Sequence, residues 1–269
     1  MSMLAPRALQ NTVGDLAADG FAVVKDVFRR DELDEAKSLL DGLFSQFGML
    51  SHDHGRGGRV FAWDMAATDV EIGQRRRADQ PEILYPSALA PGLRESAVFR
   101  KTRDLAQHIL GSSTYAFDHA IYKLPRNETA TEWHQDVSFT PFRFVPKAIQ
   151  PRRVHFWIPF QDATDNNGCM EFMKGSHKGP LFEHEAVERD GGEQGLRAIG
   201  GHGYERVACP LTAGSLTVHD PYTLHYAGRN RSDHTRAAWI IHFSRAGRAE
   251  TLVKRCFGRM PASRNPEVV

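Results

Sequence analysis

Cysteine is scarce in this chain: three residues in 269, at positions 169, 209 and 256. Such wide separation excludes a disulfide framework and a thiolate metal site, both of which need clustered pairs. It fits a reducing, cytoplasmic location. No apolar run approaches the roughly 20 residues that span a membrane. Excess charge of either sign is also missing, since 34 Lys and Arg against 33 Asp and Glu leave +1. That balance gives no reason to expect nucleic acid or a membrane as partner. There is no Gly-x-Ser-x-Gly nucleophile elbow, no Walker or dinucleotide fingerprint, no internal repeat and no low-complexity linker. The first residues lack the apolar core of a signal peptide, and Asp15 and Asp19 argue against a transit peptide. The last five residues, Asn265 to Val269, are not a peroxisomal tripeptide.

What remains is an ordinary globular composition, 41% hydrophobic, long enough for one domain over 1–269 with a full core. The first half reads as helical. Residues 6–19 predict a short helix and Phe21 to Val27 a strand. Asp31 is the expected N-cap of a helix over about 32–47. Its apolar stripe is Leu33, Ala36, Leu40, Leu43, Phe44 and Phe47, and Gly48 is its expected stop. Residues 50–90 are polar and poorly periodic. Pro91 opens a helix to about Leu110, closed by Gly111. From Tyr115 onward short strand-like runs follow, at 114–124, 152–160, 169–173, 204–209, 215–219, 223–227 and 237–244, separated by Gly, Pro, Asn and Asp. Helices first and strands later predict an α+β chain with a mainly β core.

The chemistry concentrates in four residues: His134 and Asp136 in Trp133-His134-Gln135-Asp136, then His225, then Arg236. On a strand, residues i and i+2 face the same side, so His134 and Asp136 can share one ion while Gln135 faces away. A second histidine from a distant strand completes a two-histidine, one-carboxylate set that suits iron(II) and leaves positions open. Arg236, eleven residues after His225, is placed to hold an acidic cosubstrate through a planar, bidentate pair. Phe139, Phe142 and Phe144 follow the motif closely and either line an apolar pocket or cap the core. The basic, glycine-rich segment from His52 to Arg59 reads as a lid or as a solvated loop. Arg59 or Arg56 is a candidate contact for an anionic substrate group. Arg75, Arg76 and Arg77 read as a solvated charge run. His155 faces inward as a support for the ligands, His219 competes with His225, His242 packs near the site, and His177 belongs to a structural turn.

These blocks, in this order, resemble the phytanoyl-CoA dioxygenase family of iron(II)- and 2-oxoglutarate-dependent oxygenases. The resemblance runs from Asp19-Gly20-Phe21-Ala22-Val23-Val24 to about Ser244, giving a core of about 19–245. It is sharpest at Trp133-His134-Gln135-Asp136, at Asn167-Gly168-Cys169-Met170 with Gly175-Ser176-His177-Lys178, and at Leu224-His225 with Asn230 and Arg236. It implies a double-stranded β-helix (jelly roll, cupin-like) with N-terminal helices packed on one side. It implies iron(II) on His134, Asp136 and His225, and 2-oxoglutarate on Arg236, with O2 as the other cosubstrate. Trp157 and His119 match further family positions near the cosubstrate, and Lys123 shares strand parity with His119. Ala227 departs from the family, which often has a hydroxyl residue there. Asp136 argues against the related halogenases, where a small residue frees that position for halide. The expected activity is hydroxylation of a small molecule, with desaturation or cyclisation as variants, in secondary metabolism. Two other readings stay open: a metal-dependent hydrolase on the same ligands, with no need of Arg236, and a catalytically silent β-barrel binding protein.

Overall fold

The computed structural model describes residues 6–47, 62–64, 80–189 and 192–245. Among them the strands are β1 Phe21–Val24, β2 Ala62–Asp64, β3 Pro81–Leu84, β4 Thr114–Lys123, β5 Thr131–His134, β6 Arg153–Pro159, β7 Met170–Met173, β8 Glu183–Arg189, β9 Gly192–Ile199, β10 Arg206–Cys209, β11 Leu216–His219, β12 His225–Ala227 and β13 Arg236–Ser244. The long helices are α1 Pro6–Asp19, α2 Arg30–Phe44 and α3 Ala97–Leu110.

The strands form a major sheet in the order β1-β11-β6-β13-β4-β3-β2 and a minor sheet in the order β10-β7-β12-β5. Every pairing is antiparallel. The β8–β9 hairpin lies alongside β5. The two sheets face each other as a jelly roll: Phe21 of β1 stacks on Phe172 of β7 with ring centroids 4.5 Å apart.

Period-two alternation sorts the side chains of the major sheet. On β13, Ala237, Trp239, Ile241 and Phe243 join a core with Leu33, Ala36 and Leu40 of α2 and Val98, Phe99, Leu105 and Ile109 of α3. Val154, Phe156 and Ile158 of β6, Ala120 and Tyr122 of β4, and Leu216 and Val218 of β11 fall in that same core. Their neighbours point the other way, into the space between the sheets, where Ile121, Trp157, Ala238 and Ile240 meet Met170 and Phe172 of β7. Arg236, His242, His155, His219, His119 and Lys123 have this second parity. The helices thus cover one face, and the polar residues sit on the other.

Local details differ from the sequence expectations for identifiable reasons. Arg29, not Asp31, is the N-cap of α2: the Glu32 carboxylate accepts from the Arg29 N–H at 2.9 Å, and Asp31 sits in the first turn bonded to the Arg29 guanidinium. Glu32 also receives Lys101 Nζ of α3 at 2.6 Å, tying the two helices. β1 ends at Val24, two residues before Asp26 takes φ of 54°. The helix expected from Pro91 is broken at Ser96, whose extended backbone and Oγ, accepting from Phe99 N at 3.2 Å, start α3 afresh. Gly111 does close α3, with φ of 77°. In the Asn166-Asn167-Gly168 turn, Gly168 has φ of 84°, and a Cβ there would lie 2.2 Å from the Gly228 carbonyl. Only glycine meets both demands. The expected stop at Gly48 and the 52–59 and 75–77 segments lie outside the described residues.

Candidate metal and cosubstrate site

His134 closes β5, and His225 opens β12 directly opposite it in the minor sheet. Their ring centroids are 4.1 Å apart. Asp136 is no longer on the strand; it begins a 3-10 turn, Asp136–Phe139. His134 and Asp136 still face the same side because Gln135 keeps an extended backbone (φ −116°, ψ 124°). Gln135 turns away as expected and is fully engaged. Its Nε2 donates to the Tyr222 carbonyl at 2.7 Å and the Pro180 carbonyl at 3.2 Å, and its Oε1 accepts from Phe182 N at 2.9 Å. That clamp fixes the residues on either side.

The three donor atoms converge. Asp136 Oδ1 lies 3.3 Å from His134 Nε2 and 3.4 Å from His225 Nε2, and the group gathers within the reach of one ion. Each ligand ring is held from behind. His134 Nδ1 faces the Glu132 carbonyl at 2.7 Å and His225 Nδ1 the Thr223 carbonyl at 2.9 Å. A carbonyl only accepts, so both Nδ1 atoms carry the proton and both Nε2 lone pairs point to the shared space. Burial pushes the Asp136 pKa up, but the surrounding imidazoles, His225 and His155 first, outweigh it and hold the carboxyl well below its usual range. Burial and then the charge of His225 lower His134. His225 is raised, because Asp136 outweighs the opposing effect of burial. The donor set is hard and neutral-imidazole in character, and fits iron(II).

Arg236 is the second decisive feature. It is 2% exposed, and its Nε and Nη1 are buried with no hydrogen-bond partner among the described residues. Burial lowers its pKa to about 10. The ring of Trp157 lies 5.4 Å from the guanidinium carbon. Lys123 pairs with Arg236 in register across β4 and β13. Its ammonium donates to the carbonyls of Ala227 at 2.8 Å and Gly228 at 2.6 Å. Two cations are therefore buried on neighbouring strands, one held by carbonyls and the other with Nε and Nη1 unpartnered among the described residues. A buried guanidinium without an acceptor is costly, and a dicarboxylate such as 2-oxoglutarate would satisfy it. Asn230 braces this corner, its Nδ2 donating to the carbonyls of Lys123, Leu124 and His234.

The remaining expectations sort as follows. His119 faces the interior with its Nδ1 2.6 Å from Glu82 Oε1, edge-on to His242. His155 Nδ1 lies 2.5 Å from Asp136 Oδ2 and His219 Nε2 3.1 Å from the same oxygen, so His219 supports the carboxylate and does not replace His225. His242 stacks on His155 at 3.6 Å. Phe139 sits edge-on to His134 with centroids 5.4 Å apart. Phe142 packs under the Arg153 guanidinium, and Phe144 is exposed. Arg59 lies outside the described residues. Two site residues escaped the sequence reading. Glu82 comes from β3, within a stretch that shows no periodicity. His184 of β8 approaches from the hairpin, its Nε2 accepting from the Gln135 N–H at 3.1 Å; burial lowers its pKa to about 4.

Residues 16–238 match the family described as phytanoyl-CoA dioxygenase. The chain belongs to that family. A probable alpha-ketoglutarate-dependent hypophosphite dioxygenase of Stutzerimonas stutzeri is 28% identical over 178 residues, 64% of this chain and 57% of that protein. The peroxisomal phytanoyl-CoA dioxygenase of Bos taurus is 31% identical over 117 residues, 42% of this chain and 33% of that one. This family member thus spans between 33% and 57% of the length of these two relatives. Among solved structures, EvdO2 from Micromonospora carbonacea var. aurantiaca, complexed with 2-oxoglutarate, is 27% identical with a TM-score of 0.69, covering 91% of this chain and 92% of that one. The non-heme alpha ketoglutarate dependent epimerase SnoN from nogalamycin biosynthesis shares the fold at 22% identity and a TM-score of 0.65, covering 90% of this chain and 84% of that one. Among the described residues, no helix is long and apolar enough to cross a membrane.

Proposed function

We propose that this chain is a non-haem, iron(II)- and 2-oxoglutarate-dependent dioxygenase that hydroxylates, desaturates or cyclises a small molecule of secondary metabolism. The observation that carries the reading is the buried Arg236 guanidinium, whose Nε and Nη1 have no hydrogen-bond partner among the described residues, on the face of β13 that looks toward the minor sheet carrying His134 and His225. A metal-dependent hydrolase on these ligands would leave that cation without a purpose; a silent binding barrel would use it to hold an anionic ligand but would form no succinate.

Iron(II) and 2-oxoglutarate, when bound, supply the means to oxidise a C–H bond with O2, releasing succinate and carbon dioxide. The chain's part is to bind, orient and exclude water. His134, Asp136 and His225 would hold the metal. Arg236 would pair with the far carboxylate of the cosubstrate, with Trp157 flanking the cation. Lys123 holds the wall beside it through the carbonyls of Ala227 and Gly228. Glu82 orients His119 toward the interior. Phe139 shields the His134 edge from water, and Phe142 packs against Arg153. Arg59 is our candidate contact for an anionic group of the substrate.

Beside the metal ligands, the inward face of the major sheet carries His119, His155, His219 and His242, with His155 and His219 turned to Asp136 and His119 to Glu82. A face this rich in ring nitrogens suits a small molecule bearing oxygen or nitrogen better than a fatty acyl chain. Nucleic acid and membrane partners have no part in this reading. The buried free thiols of Cys169 and Cys209 suit a reducing, cytoplasmic compartment. The catalytic unit is one domain over 1–269.

The test is iron-dependent conversion of 2-oxoglutarate to succinate under air, first alone and then with a panel of polar and apolar small molecules. The reading expects slow unprompted turnover, raised by a polar compound and lost in His225→Ala. No iron-dependent succinate under any of these conditions would end it.

A further inference from the structure

The two oxygens of Asp136 have different surroundings. Oδ1 faces His134 Nε2 and His225 Nε2, at 3.3 and 3.4 Å. Oδ2 points the other way, to His155 Nδ1 at 2.5 Å and His219 Nε2 at 3.1 Å. These two rings come from adjacent strands of the major sheet, β6 and β11, where they are register partners. His242, the register partner of His155 on β13, stacks on its other side at 3.6 Å and an interplanar angle of 19°. Three histidines thus stand in one row across three strands, facing the minor sheet.

An ionised carboxylate only accepts hydrogen bonds. The ring nitrogens that face Oδ2 must therefore carry the protons: Nδ1–H on His155 and Nε2–H on His219. A neutral imidazole has a single N–H, and each of these rings directs it at the same oxygen. His155 and His219 are each 2% exposed, so neither is oriented by solvent. Burying such rings in the interior of a barrel is costly unless their polar atoms are used.

We propose that His155 and His219 are positioning residues that cap Oδ2 of Asp136 and so confine the carboxylate to binding metal through Oδ1 alone. This rests on the reading of His134, Asp136 and His225 as the iron site. The consequence is open coordination. Three single-atom protein ligands leave three places of an octahedron, two for the keto acid and one for O2. A carboxylate chelating through both oxygens would take one of them. Outer contacts of this kind set ligand orientation and metal affinity.

A competing arrangement uses the same atoms. Asp136, His155 and His242 also present donors within 4.8 Å of one another, as a second cation site would. With its Nδ1–H on Oδ2, His155 would have only Nε2 left to offer that ion. The arrangement would also need two stacked, nearly parallel rings to aim at one ion.

The experiment uses the full chain, with cobalt(II) standing in for iron and neither 2-oxoglutarate nor turnover involved. His155→Phe and His219→Phe keep ring volume and remove the N–H. His155→Asn and His219→Gln restore an N–H near the lost position. Melting curves of the metal-free proteins establish folding; His155→Ala and His219→Ala replace any Phe variant that does not fold. The proposal expects each Phe variant to lose about 10- to 100-fold in cobalt affinity and to alter the visible cobalt bands. It expects Asn and Gln to recover most of both. Folded Phe variants with unchanged affinity and spectrum would overturn it while leaving the iron site standing. Equal losses in the Phe and the Asn or Gln variants would overturn it too, since space-filling alone would then explain the rings. A second equivalent of cobalt that disappears in His242→Ala would replace it with the two-ion arrangement. A wild-type protein that binds no cobalt would remove the iron-site reading and this proposal together.

Discussion

Two buried charged groups, on opposite faces of the same strands, divide this molecule's labour. Asp118 of β4 lies on the helix-covered face and is fully buried. It accepts from the Tyr115 hydroxyl at 2.6 Å, the Trp239 indole at 3.0 Å, and the Ser87 hydroxyl and N–H, each at 3.1 Å. Arg236 of β13 lies on the inner face, equally buried, with Nε and Nη1 unmatched. The first group is complete within the chain and ties the short Pro86–Leu89 helix to β4 and β13. The second is complete only with a ligand. Since buried polar groups in folded proteins are nearly always satisfied, the contrast separates polarity that serves the fold from polarity that serves binding.

The largest expected effect comes from the metal ligands. Asp136→Ala or His225→Ala should abolish iron-dependent succinate formation while leaving the metal-free protein folded, as read by circular dichroism. Next comes Arg236→Leu. Losing a buried, hydrogen-bonded charge pair costs about 2–5 kcal/mol, so the KM for 2-oxoglutarate should rise about 30-fold or more. The same substitution removes an unpaired buried cation, so the ligand-free protein should melt at a higher temperature than wild type. Asp118→Ala should do the reverse. It strands several donors at about 1–3 kcal/mol each, so the melting temperature falls while cobalt affinity stays unchanged. If Asp118→Ala weakened metal binding as much as it weakened the fold, the division would be false.

A smaller effect follows from pH. The pKa of His184 is lowered to about 4 by burial, whereas an unfolded histidine titrates near 6.5. Between those values the unfolded chain binds the extra proton, so stability rises with pH across the window and is lost as pH falls from about 6.5 toward 4. His225, raised by Asp136, acts only above pH 6.5 and in the opposite sense. His184→Gln should make the acid limb of the melting profile, measured with chelator present, less steep without removing it, because burial also lowers His134, His155, His219 and His242. Smallest of all is Phe139→Ala, which opens the edge of His134; it should raise unproductive 2-oxoglutarate turnover modestly without changing metal affinity.

The strands most legible in the sequence are those buried on both faces or alternating cleanly. β4, β6, β11 and β13 read from Val, Ile, Trp and Phe at period two, and they carry His119, Trp157, His219 and Arg236. The ligand motif was legible as well, because an extended residue between His134 and Asp136 suffices to put both on one side. β8 and β9 were not: the sequences of Glu183–Arg189 and Gly192–Ile199 mix charged residues and glycine with few apolar ones, so no period-two pattern marks them. β3 is four residues long, and its Glu82 is a buried carboxylate whose partner, His119, lies 37 positions away. Only tertiary pairing explains it. Asp31 has the composition of a cap but loses that place to Arg29, because Glu32 satisfies the Arg29 amide from the first turn and is itself held by Lys101.

The most direct measurement is made without oxygen. Iron(II) and 2-oxoglutarate are added to the metal-free protein, and the visible metal-to-ligand charge-transfer band of a chelated keto acid is sought. The account predicts that band in the wild type, absent in Asp136→Ala, and in Arg236→Leu only at far higher 2-oxoglutarate. A folded, iron-loaded wild-type protein with no such band at saturating 2-oxoglutarate would contradict it.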